Sequence, residues 1–357
     1  MAALRKKASS TAAFAFDIDG VLVRGPGVLP RVTEMLQLLR QRAVPVAFMT
    51  NGGGHTEAVR AAALTKRLGV PVRPEQVCLC HTPMQGSVRQ LLAPSAAAGG
   101  QGQAVERGKA FLAVGRDEER TRAAVASYGI PAELLFTAAD VHAALPRSFG
   151  DASVEPPARG APRRRAPPLP PFGALLLLID PRDYQRELQI CADVLLAEGG
   201  VLGTRRAPGT PQDVVCLNAC ADFEWVSDYV QPRLGAGAFT MALEGVYREL
   251  SGGARLEQTL FGKPQRSTYA HVEGMLAREA AELGYADGVH RVYAVGDNPQ
   301  TDIAGANGAG AHWTSMLVRT GIAAANDPDE PADFFVDDVW DAVQMALQLE
   351  GDCVILE

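Results

Sequence analysis

No apolar run in this chain approaches the roughly 18–20 residues needed to span a bilayer. The longest, Phe172 to Ile179, has the length of a strand. Positive charge is not in excess either. A formal net charge of −7 argues against a dominant nucleic-acid partner, because that affinity rests on Lys and Arg neutralising phosphates. Cysteine is scarce: six in 357 residues do not make a disulfide framework. Cys78 and Cys80 are too close to pair easily. Cys216 and Cys220 have metal-like spacing but no second Cys/His pair nearby. The thiols are therefore read as buried or free, as in a reducing compartment. The first sixteen residues hold Arg5, Lys6 and Lys7 with no acid and lack a secretory apolar core. They fit an organelle-targeting stub or a frayed basic end, so the expected location is intracellular, mitochondrial or cytoplasmic.

What is present is a soluble composition, 47% hydrophobic and 21% charged, on a chain long enough for two domains. Residues 12–18 read as a buried strand that runs into Asp17-Ile18-Asp19-Gly20. Pro30 then opens a helix with Val32, Met35, Leu36 and Leu39 on one face. Val44 to Met49 is a second strand, ending at Thr50-Asn51-Gly52-Gly53-Gly54. A helix with Val59, Ala63, Leu64 and Leu68 inward follows and stops at Gly69. Val77 to Cys80 is a third strand. Strand, helix, strand, helix, strand implies a doubly wound parallel sheet.

Residues 93–108 are small and Gly-rich, a linker by composition. A second α/β set follows, with strands at Ala110 to Val114, Ala174 to Ile179 and Val214 to Leu217. Between its first two strands, residues 147–171 are rich in Pro and Arg and cannot pack a core, so they read as a surface insertion. After a helix near 237–250, the pattern returns to core elements. These are Phe261-Gly262-Lys263-Pro264, a strand from Val292 to Val295 ending in Gly296-Asp297-Asn298, and a terminal helix marked by Trp340, Val343 and Leu347. The expected division is 10–107 and 241–357 for one α/β domain, with 108–240 as a second one inserted into it.

Four polar groups thus stand at strand ends: Asp17/Asp19, Thr50/Asn51, Lys263 and Asp297. Open parallel sheets bind ligands beyond the carboxyl ends of their strands, so distant segments deliver all four to one crevice. Converging carboxylates repel, and a hard divalent cation removes the problem. Mg²⁺ takes one or two carboxylates together with waters and phosphate oxygens. The expected ligands are Asp17, the backbone carbonyl of Asp19, and Asp297, with Asp302 orienting the cation's waters or Lys263. In that setting Asp17 can attack a phosphorus atom and Asp19 can serve as acid and then base. Thr50 with the amides of Asn51 and Gly52 would hold phosphoryl oxygens, and Lys263 would supply positive charge.

With these residues in this order the chain resembles the haloacid dehalogenase superfamily. The matching motifs are Asp17-Ile18-Asp19-Gly20-Val21-Leu22, Thr50-Asn51, Gly262-Lys263-Pro264, and Gly296-Asp297-Asn298 with Thr301-Asp302-Ile303. The long gap between Thr50 and Lys263 is similar to the branch with a C2-type cap. Met49-Thr50-Asn51-Gly52-Gly53-Gly54, Cys80-His81-Thr82-Pro83, Asp180-Pro181-Arg182-Asp183-Tyr184 and Phe261-Gly262-Lys263-Pro264 resemble the cat eye syndrome critical region protein 5 type. The resemblance implies a Rossmann-like doubly wound core with an inserted α/β cap, Mg²⁺ as cofactor, and a phosphatase acting on a small phosphorylated metabolite through an aspartyl-phosphate. It assigns the nucleophile to Asp17 and the acid/base to Asp19. It also places Arg182 where related enzymes carry a substrate-reaching His, and Asn218 and Asp222 where they carry an Asn-x-Asp. An arginine there would suit a second anionic group on the substrate, or else lie on the surface. Members of this type are often mitochondrial. The expected partners are a small phosphorylated substrate and a second copy of the chain joined through the cap, with no nucleic acid and no membrane span. The alternative function is a scaffold or phosphate-ligand binding protein that keeps the fold with little turnover.

Overall fold

The computed structural model describes residues 9–93, 108–145, 169–225 and 229–351. The basic segment before Ser9, most of the Gly-rich linker and most of the Pro/Arg-rich insertion lie outside the described residues.

The chain opens with β1 (Thr11–Asp17), a short hairpin of β2 (Val23–Arg24) and β3 (Gly27–Val28), α1 (Val32–Gln41), β4 (Val46–Met49), α2 (Glu57–Leu68) and β5 (Val77–Cys78). A second set follows: α3 (Met84–Leu92), β6 (Ala110–Val114), α4 (Glu118–Ala126), β7 (Leu135–Thr137), α5 (Ala138–Ala144), β8 (Phe172–Leu177), α6 (Tyr184–Leu196) and β9 (Val215–Asn218). It continues through β10 (Glu224–Trp225), β11 (Arg233–Leu234), α7 (Ala236–Leu250) and β12 (Thr259–Leu260). The last stretch holds α8 (Arg266–Glu282), β13 (Val289–Gly296), a π turn at Pro299–Ile303, α9 (Ala304–Ala309), β14 (Trp313–Val318), β15 (Phe334–Val336) and α10 (Val339–Leu349).

Two compact units result. One comprises residues 1–52, 57–83 and 262–357; the other comprises 53–56 and 84–261. The second unit is thus longer at both ends than the expected 108–240. The reason is packing: Phe239, Leu243, Tyr247 and Leu256 share one buried cluster with β6, β8 and α6, so α7 belongs to this unit as a whole.

The first unit is built on a parallel sheet of order β15-β14-β13-β1-β4-β5. Strand β1 alternates large and small residues, and each set serves one face. Phe14 and Phe16 join Met35, Leu39, Trp340 and Val343 on one side. Ala13 and Ala15 join Val272, Met275 and Leu276 of α8 on the other. All four apolar residues expected on α1 are buried. On α2 the buried face is Ala61, Leu64 and Leu68, whereas Val59 is 55% exposed and Ala63 is also exposed. Residues 61, 64 and 68 follow the helical repeat, and Val59 falls on the opposite side of it. The chain leaves β1 in one direction to β4 and β5 and in the other to β13, β14 and β15. The order therefore reverses between β1 and β13, which is where such sheets bind ligands.

The second unit repeats the logic on a smaller scale. Its parallel sheet has the order β12-β9-β8-β6-β7, with the reversal between β6 and β8. The fold is α/β with Rossmann-like parallel sheets, as expected from the sequence.

Candidate active site

Asp17 and Asp297 end adjacent strands at the reversal point of the first unit. β1 and β13 pair in register through Phe16 and Val295, so both acids leave the sheet at the same edge. Both are 7% exposed. Asp302 joins them from the π turn, and one carboxylate oxygen from each of the three lies within 4.8 Å of the others.

Asp302 reaches the strand end because residue 296 is glycine. A Cβ there would stand 2.1 Å from the Cβ of Asp302. Its Oδ2 accepts from the amides of Asp297 at 3.3 Å and Asn298 at 3.1 Å. Its Oδ1 accepts from Lys263 Nζ at 2.7 Å, and the same ammonium donates to Asp17 Oδ1. The turn is held from below by Tyr269 on α8, whose hydroxyl donates to the carbonyls of Thr301 and Asp302, both at 3.0 Å.

Burial pushes the Asp17 carboxyl well above the ordinary range against the pull of Lys263, and the neighbouring Asp302 and Asp297 add to the rise. Burial, with Asp302 next, lifts Asp297 to about 6. For Lys263, burial disfavours the ammonium, but Asp17 and Asp302 overcome that and hold it charged. Three buried carboxylates therefore face one buried ammonium, an excess of negative charge in a dry place. A dication answers that excess, and an all-oxygen donor set suits Mg²⁺ or Ca²⁺. With Asp302 bonded to Lys263 and two amides, Asp17 and Asp297 would hold the cation and Asp302 would hold Lys263.

Asp19 does not join this cluster through its side chain, which is 69% exposed and faces Arg60 at 3.5 Å. Thr50 is buried, and its hydroxyl oxygen accepts from the Gly52 amide at 2.9 Å. That amide is thereby turned inward, toward Thr50, where the sequence suggested a phosphate donor. The Asn51 side chain grips the backbone of Lys263. Its Oδ1 accepts from Lys263 N at 2.7 Å and its Nδ2 donates to Lys263 O at 3.0 Å. Asn51 is thus placed to orient the lysine, a role that motif reading did not assign to it.

Two descriptions of known families match this chain, haloacid dehalogenase-like hydrolase over residues 14–130 and HAD-hydrolase-like over residues 260–342. A mitochondrial hydrolase of Saccharomyces cerevisiae is 30% identical over 364 residues, covering 95% of this chain and 96% of that protein. The chain belongs to the haloacid dehalogenase-like hydrolases. A cardiolipin synthase (CMP-forming)/mitochondrial hydrolase fusion protein of Schizosaccharomyces pombe is 34% identical over 343 residues. That match covers 94% of this chain but 53% of the fusion protein, so the chain spans about half the length of that relative.

Solved structures of this hydrolase fold agree. A hypothetical protein of Pyrococcus horikoshii aligns with a TM-score of 0.64 at 19% identity, over 94% of this chain and 99% of that one. A glycerol phosphate phosphatase of Mycobacterium tuberculosis, solved with calcium, aligns at 0.59 and 19% identity over 92% and 74%. NagD of Escherichia coli aligns at 0.55 and 15% identity over 92% and 97%.

In the second unit of this hydrolase, Arg182 is exposed after β8. Asn218, 1% exposed, is committed to structure: its Nδ2 donates to Thr240 Oγ1 at 3.0 Å and Gln258 Oε1 at 3.1 Å, and its Oδ1 accepts from Cys220 N at 3.3 Å. Sequence reading passed over Arg116, which ion-pairs with Asp180 at the β6/β8 reversal point, with the ring of Trp225 5.7 Å from its guanidinium. The signal was available: Gly115-Arg116-Asp117 ends a strand just as Asp180 follows one.

Proposed function

We propose that this protein is a divalent-cation-dependent phosphomonoesterase acting on a small phosphorylated metabolite. The observation that carries the reading is the Asp17/Asp297/Asp302 cluster with Lys263 buried in it at the reversal point of the sheet. A carboxylate beside a buried ammonium is equipped to attack a phosphoryl group, and the ammonium offsets charge that gathers on the transferring oxygens.

In this reading a carboxylate oxygen of Asp17 attacks phosphorus, and the P–O bond to the leaving group breaks. Asp19, whose exposed side chain can exchange protons with solvent, protonates the departing oxygen. A water that gives its proton to Asp19 then attacks the phosphorus of the aspartyl-phosphate, releasing inorganic phosphate and restoring the Asp17 carboxylate. Lys263 and the Thr50 hydroxyl hold phosphoryl oxygens, and Asn51 keeps Lys263 in place. Mg²⁺, when bound, supplies charge neutralisation for the carboxylates and the phosphoryl group.

The finer assignments rest on the motif resemblance: a C2-type cap, membership of the critical-region type, and a mitochondrial location, to which the mitochondrial hydrolases among the relatives add support. Arg182 is assigned to a second anionic group on the substrate. A homodimer through the cap is assigned to the exposed apolar residues Phe223, Trp225 and Leu234.

The test is hydrolysis of p-nitrophenyl phosphate by the purified chain, with and without Mg²⁺, beside Asp17→Asn. The expected result is Mg²⁺-dependent release of phosphate that the substitution abolishes. Undiminished activity in Asp17→Asn would sink the mechanism. No hydrolysis across a panel of phosphometabolites, with retained phosphate binding, would return the chain to the ligand-binding alternative.

A further inference from the structure

Asp297 is enclosed by a loop that no motif marks. After β14 the chain runs Arg319-Thr320-Gly321-Ile322. The amide of Ile322 donates to Asp297 Oδ2 at 3.0 Å. Gly321 lies flat on the same side chain: a Cβ there would stand 1.8 Å from Oδ2 and 2.2 Å from the Cβ of Asp297. Gly20 closes the other side, where a Cβ would stand 2.3 Å from the same Oδ2, at a φ of +90° that disfavours any other residue.

The loop is also latched to the segment that carries Asp17 and Asp19. Thr320 Oγ1 donates to the Gly20 carbonyl at 2.6 Å, a contact across 300 positions of sequence. Arg24, on the β2–β3 hairpin, donates to the Thr320 carbonyl. One loop therefore grips both walls of the carboxylate cluster: Asp297 through the backbone of Gly321 and Ile322, and the Asp17–Gly20 turn through Thr320. Hydrogen bonds that fix the orientation of a ligating carboxylate change cation affinity without touching the cation.

We propose that Thr320 and Gly321 are positioning residues that set the divalent-cation affinity of the core site. Gly321 admits the loop against Asp297, and Thr320 locks that loop to Gly20. The inference rests on the reading of Asp17 and Asp297 as cation ligands.

The experiment is calorimetric titration of the purified full chain with Mg²⁺ in the absence of substrate, alongside thermal unfolding of each metal-free protein. Gly321→Ala is expected to weaken Mg²⁺ binding by about tenfold or more, in the range seen when outer partners of metal ligands are removed. Thr320→Val should weaken it several-fold with little change in the unfolding temperature, and Thr320→Ser, which keeps the hydroxyl, should restore it. If Gly321→Ala does not fold, the Thr320 pair decides. Wild-type binding with Thr320→Val matching it within twofold would overturn the positioning role alone. No binding by the wild-type chain would overturn the cation reading, and the inference with it.

Discussion

Lys263 Nζ lies 2.7 Å from Asp302 Oδ1 and also donates to Asp17, so one ammonium joins a strand end to a turn more than 280 residues away. All three side chains are at least nine-tenths buried. Removing the cation of such a group strands its anions. Lys263→Met is therefore expected to destabilise the metal-free protein by about 3–5 kcal/mol at neutral pH. The loss should shrink in saturating Mg²⁺, which replaces the missing charge. Urea unfolding in EDTA and in Mg²⁺ measures both. Equal stability of mutant and wild type in EDTA would contradict the arrangement.

Asp19 separates chemistry from folding. Its side chain is exposed and its ion pair to Arg60 is long. Asp19→Asn should change unfolding free energy by no more than about 0.5 kcal/mol. Its turnover should fall by about 10²–10⁴-fold if the carboxyl moves the proton. Phosphatase assays beside denaturation curves test the pair of expectations. A mutant that is both stable and fully active would remove Asp19 from the mechanism.

Tyr269 supports the turn that carries Asp302. Tyr269→Phe leaves the ring in its apolar site and removes the donor to two carbonyls, that of Asp302 buried and that of Thr301 partly so. The expected loss is about 1–3 kcal/mol, together with lower kcat at unchanged KM because Asp302 no longer holds Lys263 as firmly. Steady-state kinetics would expose a merely structural role, which would leave kcat intact once the mutant is folded.

The second unit holds a pH-dependent element of its own, where Glu118, Asp183 and Glu187 gather around Arg186. Glu187 on α6 is 4% exposed and accepts from Arg186 at 3.1 Å. Burial, partly offset by Arg186, raises it from 4.5 to about 7. Between those values the native state holds a proton that the unfolded chain has released. Native stability therefore falls as pH rises through this window and stays lower above it. Glu187→Gln removes the titration. Its unfolding free energy relative to wild type should rise between pH 4.5 and 7, by up to about 3 kcal/mol. A mutant-minus-wild-type difference that is flat with pH would contradict the assignment.

Some of this was legible in the residues alone. Phe14 to Asp17 had to be a buried strand, because an apolar run of that length ending at Gly20 leaves little else. The α1 stripe and the Asp17, Lys263 and Asp297 positions at element ends were equally readable, since each depends only on local periodicity and turn chemistry. β14 was not readable. Thr314 and Ser315 interrupt its apolar pattern, and their polar groups are met by partners outside the strand, Arg291 for Thr314 and Asn307 and Asp333 for Ser315. The Ser315 hydroxyl donates to Asn307 at 2.8 Å, and its amide donates to Asp333 at 2.9 Å.

The sequence by itself determined which side chains would stand at strand ends and which elements would carry them. Tertiary structure decided which of those side chains share a site. Asp302 entered the cluster because Gly296 leaves room for it, while the side chain of Asp19 faced outward, and Asn51 turned to the backbone of Lys263. Those outcomes depend on the order of strands in the sheet and on close approaches between segments up to 300 residues apart. A local pattern carries no information about either, because both are set only when the sheet closes its register and the core excludes water.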